Sequence, residues 1–214
     1  LAGTVYSPKA TEKLPGVVFA HMYQNSRASW AEYASELAKQ GFVTMAFDFR
    51  AWGESEGDTL DVPNLHKDVI AAVQFLANLN RVDRHRIGVV GASMGGMAAV
   101  TAASKTQLIK AVATVSAPPA WEGSEPVEVV GEISPRPYLA IIARNDPHLT
   151  LRAGRAMYLR AGEPRELVIL DSNRHGTDIF ATELEDKLKS ELTEFLTTNL
   201  KGEIAPESSQ ETEM

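Results

Sequence analysis

The residues at 91–95 carry the most chemical information in this sequence. They read Gly-Ala-Ser-Met-Gly, after an apolar run at 87–90 and before small residues at 96–100. A strand that turns sharply into a helix through Gly-x-Ser-x-Gly holds its serine on a strained corner, with the hydroxyl clear of the backbone. Both glycines are needed because a side chain there would collide with the neighbouring strand or helix. Ser93 is therefore a candidate nucleophile.

A second match to the same pattern, at 53–57, needs a different interpretation. Its serine, Ser55, lies several residues beyond the nearest apolar run and has a glutamate on each side. No helix start of the required kind follows it. Short motifs also arise by chance, so the flanking sequence has to decide. We interpret Ser55 as a polar loop residue.

A serine nucleophile needs a base that takes its proton and a carboxylate that orients the base. Reactive groups in open parallel sheets gather at the carboxyl ends of the strands. Asp146 follows the predicted strand 138–143, and His175 follows the predicted strand 166–170. The order Ser93, Asp146, His175 is the nucleophile–acid–base order expected of such an architecture.

Alternatives remain open for both partners of the serine. Asp171 also leaves a strand close to His175 and could be the acid, and His148 follows a strand end and could be the base. Asp146 lies in an Asn-Asp-Pro turn, where aspartate is also a common turn former. The sequence favours Asp146 and His175.

The negative oxygen that develops during acyl transfer needs backbone donors. We expect one from the N–H of Met94, directly after the nucleophile, and one from the N–H of Tyr23, in the loop after the strand 17–20. The Tyr23 side chain could also form an aromatic wall of the pocket. Further candidate pocket residues are His21, Met22, Trp121 and His148. Trp121 could equally be a loop aromatic packed on the sheet edge.

Strand and helix patterns alternate along most of the chain. Apolar runs predict buried strands at 17–20, 42–49, 87–90, 112–115, 138–143 and 166–170, with a possible antiparallel edge strand at 4–6. Between them lie helical patterns, the first capped by Ser29 and the last carrying Phe180 on its apolar face. This alternation implies a mostly parallel sheet with helices on both faces. We predict a single domain at 1–200 and a disordered acidic tail at 201–214.

Composition excludes several classes of partner and chemistry. The formal net charge is −7 with no basic run, which argues against nucleic acid and anionic membranes. No apolar stretch is long enough to cross a bilayer. The absence of cysteine removes disulfides, thiolate zinc sites and a thiol nucleophile. Because the sequence begins with leucine, a removed leader would leave no trace, and both a cytoplasmic and an exported soluble protein are compatible with it.

Four segments together resemble the α/β-hydrolase superfamily, specifically the small serine hydrolases related to dienelactone hydrolases and prolyl-oligopeptidase-type esterases. These segments are the strand with its terminal histidine at 17–21, the Asp-x-Arg-Ala-x-Gly-x-Ser segment at 48–55, the approach to the nucleophile at 82–96, and the acid and base positions at Asn145-Asp146 and Arg174-His175-Gly176. The likeness covers about residues 17–200. Met22 and Ala51 depart from it, since each stands where glycine is usual.

The resemblance implies a carboxylic ester hydrolase that acts on small or short-acyl esters through an acyl-enzyme on Ser93. It implies a small-molecule ester as the substrate and a reaction that requires neither a metal nor an organic cofactor. Lids in this superfamily usually follow the strand that here ends near residue 116, and the segment 117–134 is too short for a sizeable one. Dienelactone hydrolases proper use a cysteine nucleophile, so the serine at position 93 argues against a dienelactone substrate. Peptidase, thioesterase and carbohydrate acetyl esterase activities use the same triad, and a non-catalytic binding module is a further alternative.

Overall fold

The computed structural model describes residues 1–202, so the predicted tail from 203 onward lies outside the described residues. The strands in the described part are β1 (Gly3–Tyr6), β2 (Leu14–Ala20), β3 (Val43–Phe47), β4 (Val82–Ala92), β5 (Ile109–Val115), β6 (Tyr138–Ala143) and β7 (Arg165–Leu170). The α-helices there are α1 (Ala31–Lys39), α2 (His66–Ala77), α3 (Met94–Lys105), α4 (Leu151–Arg160) and α5 (Glu185–Lys201).

All of these strands belong to one sheet, in the order β1-β3-β2-β4-β5-β6-β7. β1 pairs with β3 in antiparallel fashion, and every other pair is parallel. Each parallel connection therefore crosses over through a helical segment, which places helices against the sheet. The predicted fold class is confirmed, including the antiparallel edge strand.

The two faces of the sheet form separate halves of the core. Neighbouring residues of β4 show the division, because successive side chains of a strand point to opposite faces. Val89 belongs to the cluster that includes Val73 of α2, whereas Val90 belongs to the cluster that includes Leu37 of α1 and Leu196 of α5. Strands buried in this way on both faces explain the continuous apolar runs in the sequence.

Two helix boundaries differ from the prediction. A 3-10 turn, Arg27–Trp30, precedes α1, and it is Ser26 whose side chain accepts from the amide of Ala28 at 3.4 Å. Ser29, the predicted cap, instead donates its hydroxyl hydrogen to the carbonyl of Ser26. Phe180 lies in a separate 3-10 turn, Gly176–Ala181, because the chain becomes extended after it and α5 begins only at Glu185.

The carboxyl ends of the parallel strands share one edge of the sheet, where the loops after them meet. Between β5 and β6 the chain has two short 3-10 turns, Pro126–Glu128 and Val130–Ile133, and no helical cap in this part of the structure. No lid therefore covers this edge of the sheet within the described residues.

None of the helices within residues 1–202 is long and apolar enough to cross a membrane.

Candidate active site

Ser93 occupies the corner between β4 and α3. Its backbone angles are φ 48° and ψ −116°, a strained combination for a residue with a side chain. A Cβ atom on Gly91 would lie 2.3 Å from the carbonyl oxygen of Gly95, and one on Gly95 would lie 2.3 Å from that of Ala20. Both glycines are required because backbone approaches too closely for any side chain. The corner is pinned from one side, since the amide of Ser93 donates to the carbonyl of Val115 at 2.8 Å.

Asp146 and His175 form a hydrogen-bonded pair at the ends of β6 and β7. Nδ1 of His175 lies 2.9 Å from one carboxylate oxygen of Asp146 and 2.8 Å from the other. The Asp146 side chain is 1% exposed and that of His175 is 14% exposed. A carboxylate can only accept, so Nδ1 carries a hydrogen, and in the neutral ring Nε2 has the lone pair. A histidine held in this tautomer can take a proton from an alcohol.

Backbone amides reinforce the charged form of Asp146. The N–H groups of His148 and Leu149 donate to Oδ1 at 2.8 and 3.0 Å. Burial by itself would raise the pKa of Asp146, but the hydrogen bonds from His175 and from the His148 amide outweigh it and hold the pKa below its usual value. Asp146 is therefore a carboxylate at neutral pH.

The structure separates the alternative partners that the sequence left open. The Asp171 side chain is 83% exposed and lies 3.5 Å from the guanidinium of Arg144, so it is Asp146 that the fold brings to His175. The ring of His148 lies edge-on to that of His175, with centroids 5.2 Å apart. His148 thus lies beside the candidate base rather than in its place.

Ser93 and His175 line the same cavity, which has a volume of about 560 Å³. Met22, Tyr23, Trp121 and His148 line it as well. The side-chain hydrogen bonds that His175 makes within residues 1–202 run from Nδ1, so Nε2 is the ring nitrogen left for a contact with the serine hydroxyl. Catalytic hydrogen bonds often tighten only in the complex.

His21 corrects the predicted pocket, because it is fully buried and does not line the cavity. Its Nδ1 lies 2.8 Å from the carbonyl of Met22, and its Nε2 accepts from the amide of Phe49 at 3.1 Å. Desolvation lowers the pKa of His21 despite its bond to the Met22 carbonyl, so the ring is neutral. His21 ties the loop after β2 to the loop after β3.

A partly buried ion pair, which the sequence did not predict, holds the same two loops together. The amide of Arg27 donates to Asp48 at 2.7 Å, and the Arg27 guanidinium pairs with both Asp48 and Glu54. Burial would raise the pKa of Asp48, but hydrogen bonds from the Arg27 and Glu54 amides and the nearby guanidinium hold it below its usual value. Ser55 belongs to this network as a loop residue, since its hydroxyl donates to the Asp48 carbonyl at 2.6 Å and accepts from the amide of Ala2.

Met22, which stands where the resemblance expects glycine, has a specific neighbour. Gly176, the residue after His175, has φ 54°, and a Cβ atom on it would lie 2.8 Å from the sulfur of Met22. The thioether therefore fills the space that the missing side chain of Gly176 leaves open. This contact joins the loop after β2 to the loop that carries His175.

Aromatic rings form one wall of the cavity. The ring of Tyr23 lies edge-to-face with Trp121, at 5.1 Å between centroids, and with Trp52, at 5.2 Å. Tyr23 is 42% exposed, so its ring remains accessible. The amide of Met94 is the first of α3, where helix amides have no partner within the helix. The amides of Tyr23 and Met94 remain predicted donors for an oxyanion.

No cluster of three or more histidines and carboxylates within residues 1–202 is arranged to hold a metal ion.

Comparison with known proteins gives matches of several kinds. The family described as X-Pro dipeptidyl-peptidase (S15 family) matches residues 1–125, a segment that contains the corner at Ser93. The uncharacterized protein YcjY of Escherichia coli K12 is 34% identical over 124 residues, which are 55% of this chain and 40% of that protein. The bis(hydroxyethyl) terephthalate hydrolase of Streptomyces coelicolor is 31% identical over 140 residues, 60% of this chain and 43% of the relative.

A solved structure matches over most of the chain. The esterase Pf2001 of Pyrococcus furiosus superposes with a TM-score of 0.74 and 26% identity, covering 88% of this chain and 84% of that one. By contrast, the aligned parts of YcjY and the terephthalate hydrolase span less than half of those proteins. Asp146 and His175 lie beyond the segment that the family match covers, so their pairing rests on the geometry alone.

Proposed function

This chain belongs to the family described as X-Pro dipeptidyl-peptidase (S15 family), within the α/β-hydrolase superfamily of serine hydrolases, and we propose that it hydrolyses carboxylic esters with Ser93 as the nucleophile. The observation that carries the proposal is the pairing of His175 with the buried carboxylate of Asp146, in a cavity that Ser93 also lines. The likeness to the Pf2001 esterase supports ester hydrolysis.

The reaction follows from the roles that the geometry allows. The hydroxyl oxygen of Ser93 attacks the acyl carbon while Nε2 of His175 takes its proton. Asp146 stays ionised and keeps the hydrogen of the imidazole on Nδ1. The amides of Met94 and Tyr23 stabilise the tetrahedral oxyanion. The alcohol leaves with the proton from His175, and a water molecule, activated by the same histidine, releases the acid from the acyl-enzyme.

The cavity favours small esters with an apolar or aryl part. A volume of about 560 Å³ lies in the range of small-molecule sites. Tyr23 and Trp121 offer flat aromatic surfaces against which a planar group can pack. The relative named for bis(hydroxyethyl) terephthalate, an ester of an aromatic acid, supports this choice.

Hydrolysis of p-nitrophenyl butyrate by wild type and by Ser93→Ala tests the proposal. We expect the substitution to lower kcat by up to ~10⁶, as removal of a triad serine does elsewhere. Labelling by a fluorophosphonate probe should disappear with it, because only an activated serine reacts. Ser104→Ala, on the same helix α3 and outside the cavity lining, is the matched control and should keep both signals. Wild-type turnover in Ser93→Ala would refute the assignment.

Peptidase activity is the second candidate, and the description of the matching family favours it. The same triad can cleave an amide, so the fold does not decide between the two. Comparison of kcat/KM for glycyl-proline p-nitroanilide and p-nitrophenyl butyrate separates them. A much larger value for the anilide, lost in Ser93→Ala, would replace esterase by dipeptidyl peptidase as the function.

A further inference from the structure

The cavity beside Ser93 has an unusual balance of charge. Its lining within residues 1–202 contains no lysine or arginine, and Asp178 supplies the carboxylate. The remaining lining groups are apolar, aromatic or uncharged polar side chains. An anionic substrate finds no lysine or arginine there, whereas a cationic one finds a carboxylate.

Asp178 is held at a defined place relative to the candidate base. It lies in the 3-10 turn that follows His175, and its amide donates to the carbonyl of His175 at 3.0 Å. Its side chain is exposed and forms no ion pair with any group in the described part of the chain. Asp146, the other carboxylate nearby, is buried and already accepts hydrogen bonds from His175 and two backbone amides. Asp178 is thus the carboxylate that a bound cation can reach.

A second, independent feature of the same cavity favours cations. The rings of Tyr23 and Trp121 line it, and the face of an aromatic ring attracts an ammonium group. The net charge of −7 over the whole chain adds a long-range bias in the same direction. A carboxylate together with accessible aromatic rings is the environment that binds quaternary and primary ammonium groups in proteins.

We propose that this site prefers esters carrying an ammonium group and that Asp178 determines this preference. The inference rests on the proposed esterase function and deepens it by naming a class of substrate. The size of the effect follows from Coulomb attraction in a solvent-open cavity. A charge pair about 4 Å apart in nearly aqueous surroundings changes an affinity by about fivefold. Because the carboxylate is exposed, added salt should weaken the preference.

Three matched p-nitrophenyl esters test the preference. The first carries a γ-(trimethylammonio)butyryl group, the second has a tert-butyl group in place of the trimethylammonium, and the third has a sulfonate there. At about pH 8, where imidazoles are mostly neutral, we expect kcat/KM for the cationic ester to exceed that for its neutral isostere by about fivefold. The sulfonate ester should be the poorest of the three.

Asp178→Asn should bring the ratio of cationic to neutral ester to within about twofold of unity. Asp171→Asn removes the same charge from an exposed side chain that does not line the cavity, and it should leave the ratio unchanged. Equal ratios in wild type and Asp178→Asn would overturn the proposal. So would an equal fall in both variants, since the effect would then come from net charge alone.

A binding measurement keeps this inference separate from the esterase proposal. Butyltrimethylammonium ion is titrated into each protein while the tryptophan fluorescence is followed, and its affinity should fall about fivefold in Asp178→Asn and not in Asp171→Asn. If the protein cleaves no ester but shows this difference, the esterase proposal fails and the cation site stands. If the ion binds both variants and wild type alike, the cation site fails whatever the activity.

Discussion

Asp146→Asn is the most informative change at this site, because the surrounding donors dictate how the new amide lies. Oδ1 of Asp146 accepts from the amides of His148 and Leu149 at 2.8 and 3.0 Å. An asparagine must keep its carbonyl oxygen there, since its NH₂ group would face two donors. The NH₂ group then takes the place of Oδ2, which lies 2.8 Å from Nδ1 of His175. Two N–H groups cannot share that contact, and the carbonyl oxygen, 2.9 Å from Nδ1, already uses both lone pairs on the two backbone amides. The imidazole therefore moves its hydrogen to Nε2.

A histidine with its hydrogen on Nε2 cannot take the proton of Ser93. The same substitution in another Ser-His-Asp triad lowers kcat by about 10⁴ because it selects this tautomer. We expect a loss of similar size here, which corresponds to about 5 kcal/mol of transition-state stabilisation. KM should change little, since Asp146 lies behind His175 and is 1% exposed. The assay is steady-state hydrolysis of p-nitrophenyl butyrate together with the rate of fluorophosphonate labelling.

Asp171→Asn is the control for this experiment, because Asp171 was the other carboxylate close to His175 in the sequence. Its side chain is 83% exposed and pairs with Arg144 on the surface, so the variant should keep wild-type kcat. Thermal melts of both variants show whether the fold is intact. A kcat for Asp146→Asn within about tenfold of wild type would refute the tautomer argument. A loss in Asp171→Asn as large as in Asp146→Asn would refute the assignment of the acid.

Two further predictions concern stability. Ala51 has φ 62°, a conformation that costs alanine about 1 kcal/mol and costs glycine almost nothing. Glycine also makes the unfolded chain more flexible, so the net gain from Ala51→Gly should be about 0.5 kcal/mol, which raises Tm by about 1–2 °C. The control Ala71→Gly, on the exposed face of α2, should lower Tm. An unchanged or lower Tm for Ala51→Gly would contradict the strain. The pKa of Asp48 lies below 3.8 in the folded state, so at acid pH the unfolded chain binds more protons than the folded one. The Asp48 carboxylate therefore stabilises the fold above pH 3.8, and this stabilisation is lost as the pH falls through the folded pKa. Unfolding free energies from urea titrations should therefore differ by about 2 kcal/mol between wild type and Asp48→Asn at neutral pH, and this difference should shrink as the pH falls below 3.8. A difference that stays constant with pH would show that the charge is not responsible.

Much of the fold could be predicted because its signals are local. A buried parallel strand is a continuous apolar run, and β6 has the predicted bounds, Tyr138–Ala143. The predicted helix boundaries were wrong where contacts between residues distant in sequence decide the local structure. Phe180 has helical spacing relative to α5, yet its ring packs against Trp30 and Tyr33 from a separate turn. The side-chain cap is that of Ser26, at the start of the 3-10 turn that precedes α1, rather than that of Ser29.

The choice between the two carboxylates near His175 shows a limit of sequence reasoning. β6 and β7 are neighbours in the sheet, so Asp146 and Asp171 both leave strands at the same edge. Their positions along the chain make either of them a reasonable partner. Only the path of the two loops turns Asp146 inward and leaves Asp171 in solvent.

Five consecutive residues were enough to predict the corner at Ser93. The close backbone approach that excludes side chains at Gly91 and Gly95 is a property of the strand–helix turn itself. The sequence could not predict the packing of Met22 against Gly176 or the ion pair of Arg27 with Asp48. Each contact joins loops that meet only when the strands lie side by side. The burial of His21 belongs with them, because a loop histidine has the same spacing whether its ring faces a cavity or the core. Neighbouring residues determine short-range geometry, whereas the partner of a buried charge or ring depends on which distant segment the sheet brings beside it.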